Sequence, residues 1–328
     1  MGRNNLNSSI MKTYFFTAIF MLTMAIIAVA QNEFPLIPEK QGTFEILSRT
    51  DYTMPDCKFT QADVTGNLPK IKDLVAVVRK NQVLSECKGF DGRARIYTFS
   101  RCNQEGIYGV PSRISFEFAA WYRLNDGKEA RGLIEPPEWS VYINTIQPGW
   151  TTGFSNKPDF FGVAEKKETI APGIDMYDGE CFVIYNPDRP DYWLPVTVKE
   201  AFDVAYEWNK KNSNEIQWEY AKKFLDEERA AFQPDDWSKH ATMSGMLSRV
   251  GTLEGFPKIM KVNPAYWDKS KPKSEIQFIT FRMITNQKFL KQRTQEYLKA
   301  NSISYHCARF EESLDVEFVK SLLPLVTK

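Results

Sequence analysis

Residues 173–208 constrain this chain more than any other stretch, because a short apolar run, a proline-stiffened loop and a capped amphipathic segment follow one another without a gap. Cys181-Phe182-Val183-Ile184-Tyr185 is bounded by Gly179 and by Asn186-Pro187. An apolar, partly β-branched run this short reads as a strand buried on both faces. Asn-Pro then opens a turn, since proline fixes φ and keeps the residue before it out of the helical region. Pro187, Pro190 and Pro195 restrict the unfolded loop and lower the entropy lost on ordering it. Thr197-Val198-Lys199-Glu200 matches a capping box, with the Thr197 hydroxyl accepting from the Glu200 amide and the Glu200 carboxylate reaching back. Beyond it Val198, Ala201, Phe202, Ala205 and Trp208 recur at helical spacing.

Strand signals dominate before this joint and helix signals after it. A helix is predicted over 68–80, with Asn67 as cap and Pro69 in the first turn. Short strands are predicted at 43–47, 94–99 and 160–164. Along Arg113–Arg123, Ile114, Phe116, Phe118 and Ala120 alternate onto one face, and Asn125-Asp126-Gly127 turns the chain back through 128–134. Trp139, Val141 and Ile143 alternate in the next strand. After Trp208, a helix over 215–232 with Ile216, Tyr220, Phe224 and Leu225 inward completes a helical hairpin. Asp236 is placed to cap a shorter helix ending near Arg249. A strand over 257–262, a loop over 263–274 and a strand over 275–284 follow. The end of the chain reads as a helix over 287–300, a strand from Ile303 to Arg309, and a helix over 314–323 stopped by Pro324. The expected fold is therefore α+β: a mainly antiparallel β-sheet section, then a helical hairpin, then a C-terminal β-α-β-α segment. Residues 31–328 are expected to form a single domain, with 210–215 the place where a subdivision would fall.

Met11-Lys12, the apolar run from Tyr14 to Val29 and the Ala28-Val29-Ala30 cleavage signal identify residues 1–30 as a signal peptide. No cysteine follows Ala30, so no lipid anchor is indicated, and the expected location is periplasmic or extracellular. The chain carries 42 Lys and Arg against 41 Asp and Glu, with no basic block, which argues against nucleic acid as a partner. No second stretch is apolar enough for an integral membrane segment. Export permits disulfides; of Cys57, Cys87, Cys102, Cys181 and Cys307, the pair Cys87–Cys102 flanks a predicted strand and is the expected bridge.

The common catalytic signatures are missing. There is no G-x-S-x-G, no P-loop and no G-x-G-x-x-G, and Ser270-Lys271-Pro272-Lys273 meets S-x-x-K in a loop instead of a helix. His306 and Cys307 are neighbours on a predicted strand and so point to opposite faces. Two sets of candidates remain. Asp175, Asp178 and Glu180 crowd a glycine turn, a grouping that suits Ca²⁺ or the acid and base of glycan cleavage. Arg189, Tyr192, Trp193, Trp150, Tyr266 and Trp267, with Phe154, put aromatic surface on loops and suit a glycan or protein ligand. Large aromatics are usually buried, which favours Tyr192 and Trp193 folding inward as a lid. The expected function is that of an exported, non-catalytic binding protein. A carboxylate-dependent hydrolase and a structural envelope component are the alternatives, and no cofactor other than Ca²⁺ is suggested.

Overall fold

A computed structural model of the chain describes residues 34–49, 59–98, 107–132, 135–145, 151–153, 160–178, 180–244, 249–252 and 255–327. The segment expected to be a signal peptide, Cys57, Cys102, Trp150 and Phe154 lie outside them. The fold is α+β, as expected, but its strands make two sheets.

The larger sheet holds β1 (Phe44–Arg49), β2 (Phe90–Thr98), β3 (Ser112–Arg123), β5 (Glu138–Ile143), β15 (Phe278–Arg282), β10 (Cys181–Tyr185), β9 (Ile174–Tyr177) and β8 (Lys166–Ala171), in that spatial order, with β4 (Glu129–Arg131) as a flap on β3. Only β1 and β2 run parallel; the other neighbours are antiparallel. The smaller sheet is built on β14 (Lys258–Val262), which pairs with β7 (Phe160–Val163), β11 (Trp193–Pro195) and β12 (Thr242–Ser244); β6 (Thr151–Gly153) and β13 (Arg249–Gly251) extend it.

Alternation along the central strands explains how both faces of the larger sheet are covered. On β10, Phe182 and Ile184 point into a core closed by α1 (Gln61–Val78), α2 (Gln82–Glu86), α6 (Tyr305–Glu312) and α7 (Val316–Leu322). Cys181 and Val183 point the other way, onto the smaller sheet, where they meet Phe161, Tyr192, Trp193, Tyr266 and Trp267. Successive strand residues face opposite sides, so one five-residue run serves both layers. The far face of the smaller sheet packs on α3 (Val198–Asn212) through Val198, Ala201 and Ala205. The helix α4 (Glu215–Ala231) then folds back on α3, with Tyr206 and Trp218 edge to face at 5.2 Å.

Several expectations change. The first helix begins at Gln61, because Thr60 and Asp63 form a reciprocal capping box there. Asn67 is consequently inside the helix and buried, donating from Nδ2 to the Ser274 carbonyl at 2.9 Å, and Pro69 is internal. The Thr197 cap is one-sided: its hydroxyl accepts from the Glu200 amide at 3.2 Å, but the Glu200 carboxylate pairs with Lys261 at 2.7 Å. Among the described residues between Asp236 and Arg249 there is no α-helix; a 3₁₀ turn (Pro234–Ser238) leads within three residues into β12. Residues 303–309 are not a strand. They enter α6, preceded by α5 (Gln287–Lys299), so the C-terminal segment is one strand followed by helices. Cys87 is a free buried thiol donating to the Leu84 carbonyl, not half of the expected Cys87–Cys102 bridge. On α4 only Leu225 is buried; Ile216 is 80% and Tyr220 67% exposed, against their expected inward placement. Among the described residues no helix is long and apolar enough to cross a membrane.

Candidate functional site

The two sheets separate at one end of their shared core and leave a cleft of about 930 Å³. Strands β8, β9 and β10 form one wall, with Lys166, Asp175, Tyr177 and Tyr185. Tyr192 and Trp193 lie at the back. The opposite wall comes from the smaller sheet, with His240, Thr242, Lys258 and Met260, and Phe256 at the lip. A volume in this range suits a small ligand.

Asp175 is the centre of the polar arrangement. It lies within β9, not in a turn, and is 2% exposed. Register places it opposite Thr169 on β8 and Val183 on β10. Thr169 donates to its Oδ1 at 2.6 Å, Tyr192 donates to its Oδ2 at 2.9 Å, and the Lys166 ammonium stands 3.6 Å from Oδ2. Tyr177, two residues along the same strand face, holds its hydroxyl 2.7 Å from that of Tyr192. Tyr185 stacks edge to face on Tyr192 with ring centres 5.0 Å apart. Burial raises the pKa of all three phenols, and the Asp175 charge adds to it: Tyr185 is pushed up to about 12, and Tyr177 and Tyr192 higher. They are neutral hydroxyls at any physiological pH.

His240 stands on the opposite wall, just before β12. Its Nε2 lies 2.9 Å from the Ile259 carbonyl, and a carbonyl only accepts, so Nε2 carries the proton. Burial, with a smaller contribution from Lys258, lowers its basicity. Nδ1 is therefore an acceptor. Thr242, two residues on, is 7% exposed and its hydroxyl has no hydrogen-bond partner among the described residues.

The expected metal ligands take separate duties. Asp175 anchors the tyrosines, Asp178 pairs with Lys167 at 2.7 Å, and Glu180 accepts from the Thr285 amide and hydroxyl at 2.6 and 2.8 Å. Among the described residues no group of three side chains is arranged to hold a metal ion. The expected aromatic loops do come together, but as a wall. Tyr192, Trp193, Tyr266 and Trp267 are buried, and the Arg189 guanidinium donates to the carbonyls of Ala265, Tyr266 and Trp267, clamping one loop to the other. Tyr192 and Trp193 keep an edge on the cleft; Arg189, Tyr266 and Trp267 support it from behind. Sequence reasoning missed Tyr177, Tyr185, His240 and Thr242. Tyr177 had a signal, since it alternates with Asp175 onto one strand face; His240 and Thr242 had none, because nothing in the sequence brings β12 to β9. No protein-family model, no curated protein and no solved structure matches this chain.

Proposed function

We propose that the chain is an exported, non-catalytic binding protein whose ligand seats in the cleft between the two sheets. The observation that carries this is the saturated carboxylate on the cleft wall: both oxygens of Asp175 accept hydrogen bonds, from Thr169 and from Tyr192, inside an aromatic surround. A general acid or base needs an oxygen open to the substrate. An anchored carboxylate instead fixes the hydroxyls around it, which is what pre-organised recognition requires. The separate engagement of Asp178 and Glu180 weighs against the hydrolytic alternative at these three positions.

The test is a thermal-shift screen of sugars, amines, amino acids and carboxylates on the wild type and on Phe256→Ala and Thr242→Val. Ligands that occupy the cleft raise the melting temperature of the wild type, by about 2.7 kcal/mol of stability at a hundredfold excess over Kd. The shift shrinks in both variants. Stabilisation that neither variant affects would place the ligand elsewhere, and turnover of a chromogenic glycoside lost in either variant would restore the hydrolase.

A further inference from the structure

The hydroxyl protons around Asp175 follow from the bonding alone. A phenol has one proton to give. Tyr192 gives its proton to Asp175 Oδ2, so in the 2.7 Å contact between the two hydroxyls Tyr177 must be the donor and Tyr192 the acceptor. The Tyr177 and Tyr192 protons are thus turned inward, and there the cleft meets oxygen lone pairs.

The rest of the lining has the same polarity. His240 spends its proton on Ile259 and offers Nδ1 as an acceptor. Glu165 and Asp191 accept only, and neither has an ion-pair partner among the described residues. Of the four lining carboxylates, Asp175 draws Lys166 and Asp178 is paired with Lys167, which leaves Glu165 and Asp191 against the single ammonium of Lys258. Thr242 is a separate sign of an absent partner: a buried hydroxyl on the cleft wall with no hydrogen-bond partner among the described residues. Such a group costs stability unless something satisfies it. A ligand for this lining has to be rich in donors and positive in charge, and the Tyr185 and Phe256 rings that line the cleft are groups that attract cations.

The carboxylates also have a spacing. The Asp178 amide bonds the Glu165 carbonyl at 2.8 Å, so Glu165 sits at the Cys181 end of β10. Asp191 adjoins Tyr192, whose ring packs 5.0 Å from that of Tyr185, and so lies at the other end of that strand. Four strand steps separate the ends, or about 13 Å. We infer that the ligand of the cleft is a linear aliphatic polyamine, its terminal ammonium groups directed to Glu165 at one end and Asp191 at the other. The inference rests on the cleft being the binding site and specifies what fills it.

The experiment is calorimetric titration with spermidine, putrescine and the neutral trisaccharide maltotriose, on the wild type and on Glu165→Gln, Asp191→Asn and Phe256→Ala. Glu165 and Asp191 are exposed, so an unchanged melting temperature checks that both variants fold. Spermidine is expected to bind one to one, more tightly than putrescine. Its affinity should fall at least tenfold in each carboxylate variant and weaken with added salt. Failure of spermidine to bind, or equal affinity in wild type and carboxylate variants, overturns the polyamine. If maltotriose binds instead and Phe256→Ala abolishes it, the cleft stands and the amine is wrong. If neither binds and the broader screen yields no cleft-dependent ligand, both fall.

Discussion

His306 should make this protein acid-sensitive through one imidazole. The side chain is fully buried on α6, with its ring 5.1 Å from that of Phe90, and neither nitrogen has a hydrogen-bond partner among the described residues. Burial, assisted by the charge of Arg309, lowers its pKa from an ordinary 6.5 to about 3. Because the folded value lies below the unfolded one, the unfolded chain binds the extra proton first. Stability is complete above the unfolded pKa and falls as the pH drops through the window from 6.5 to 3. Each pH unit inside the window costs about 1.4 kcal/mol, so lowering the pH from 7 to 5 removes about 2 kcal/mol. That is a large share of a domain's usual margin of roughly 5–15 kcal/mol. Urea unfolding of the wild type and of His306→Leu at both pH values measures the effect. The leucine variant loses no hydrogen bond, so at pH 7 it should stay within about 1 kcal/mol of the wild type. At pH 5 its relative stability should have risen by about 2 kcal/mol. His240 has the same direction of shift, but it is present in both proteins and cancels. Equal losses in wild type and variant between pH 7 and 5 would refute the assignment.

Gly89→Ala should destabilise the fold by about 2 kcal/mol or more in chemical denaturation, from the left-handed backbone and the crowding together: Gly89 has φ +86°, and a Cβ there would sit 2.4 Å from His306 Cε1 and 2.8 Å from Pro38 Cα. Tyr192→Phe removes a donor to Asp175 and the acceptor of Tyr177, and should cost about 2 kcal/mol in the same assay. Ile216→Ser with Tyr220→Ser should change stability by no more than about 0.5 kcal/mol per site, since both are exposed; a loss of several kcal/mol would mean that this face is covered in solution. Adding Ca²⁺ or a chelator should leave the melting temperature unmoved, and a shift of several degrees would reinstate Asp175, Asp178 and Glu180 as ligands.

The strands were legible where one period ran long enough. Ile114, Phe116 and Phe118, and Trp139, Val141 and Ile143, alternate into the helix-covered core as their spacing predicts. The run from Cys181 to Tyr185 was legible because an unbroken apolar run demands cover on both sides. The helix from 215 was legible in extent and not in orientation: the spacing of Ile216, Tyr220 and Phe224 defines a face, but only a neighbour decides whether that face is buried. The segment 303–309 was misread because Ile303, Tyr305 and Cys307 alternate. Extending the window to Phe310 and Leu314 brings out the helical spacing from His306 and Cys307 that the fold uses. Asp175 was noticed for its neighbours in sequence, yet its chemistry comes from Thr169 and Tyr192 across two strand pairings. Cross-strand register between distant segments leaves no local trace, which is why the cleft itself could not be seen.

The position of β15 has a consequence for how the chain can be made. Phe278–Arg282 sits between β5 and β10, bonded to Val141–Ile143 on one side and to Cys181–Tyr185 on the other. A chain growing from its N-terminus completes both of those strands long before the one that joins them. Until residue 282 emerges, β5 and β10 each present an open, largely apolar edge, and open edges recruit other strands. A chain that folded as it emerged would pass through a stage with two half-sheets and no seam, and a chain cut short before Phe278 would lack the strand that joins them. Delivery of one late strand closes the larger sheet and completes, in the same step, the floor on which both cores rest.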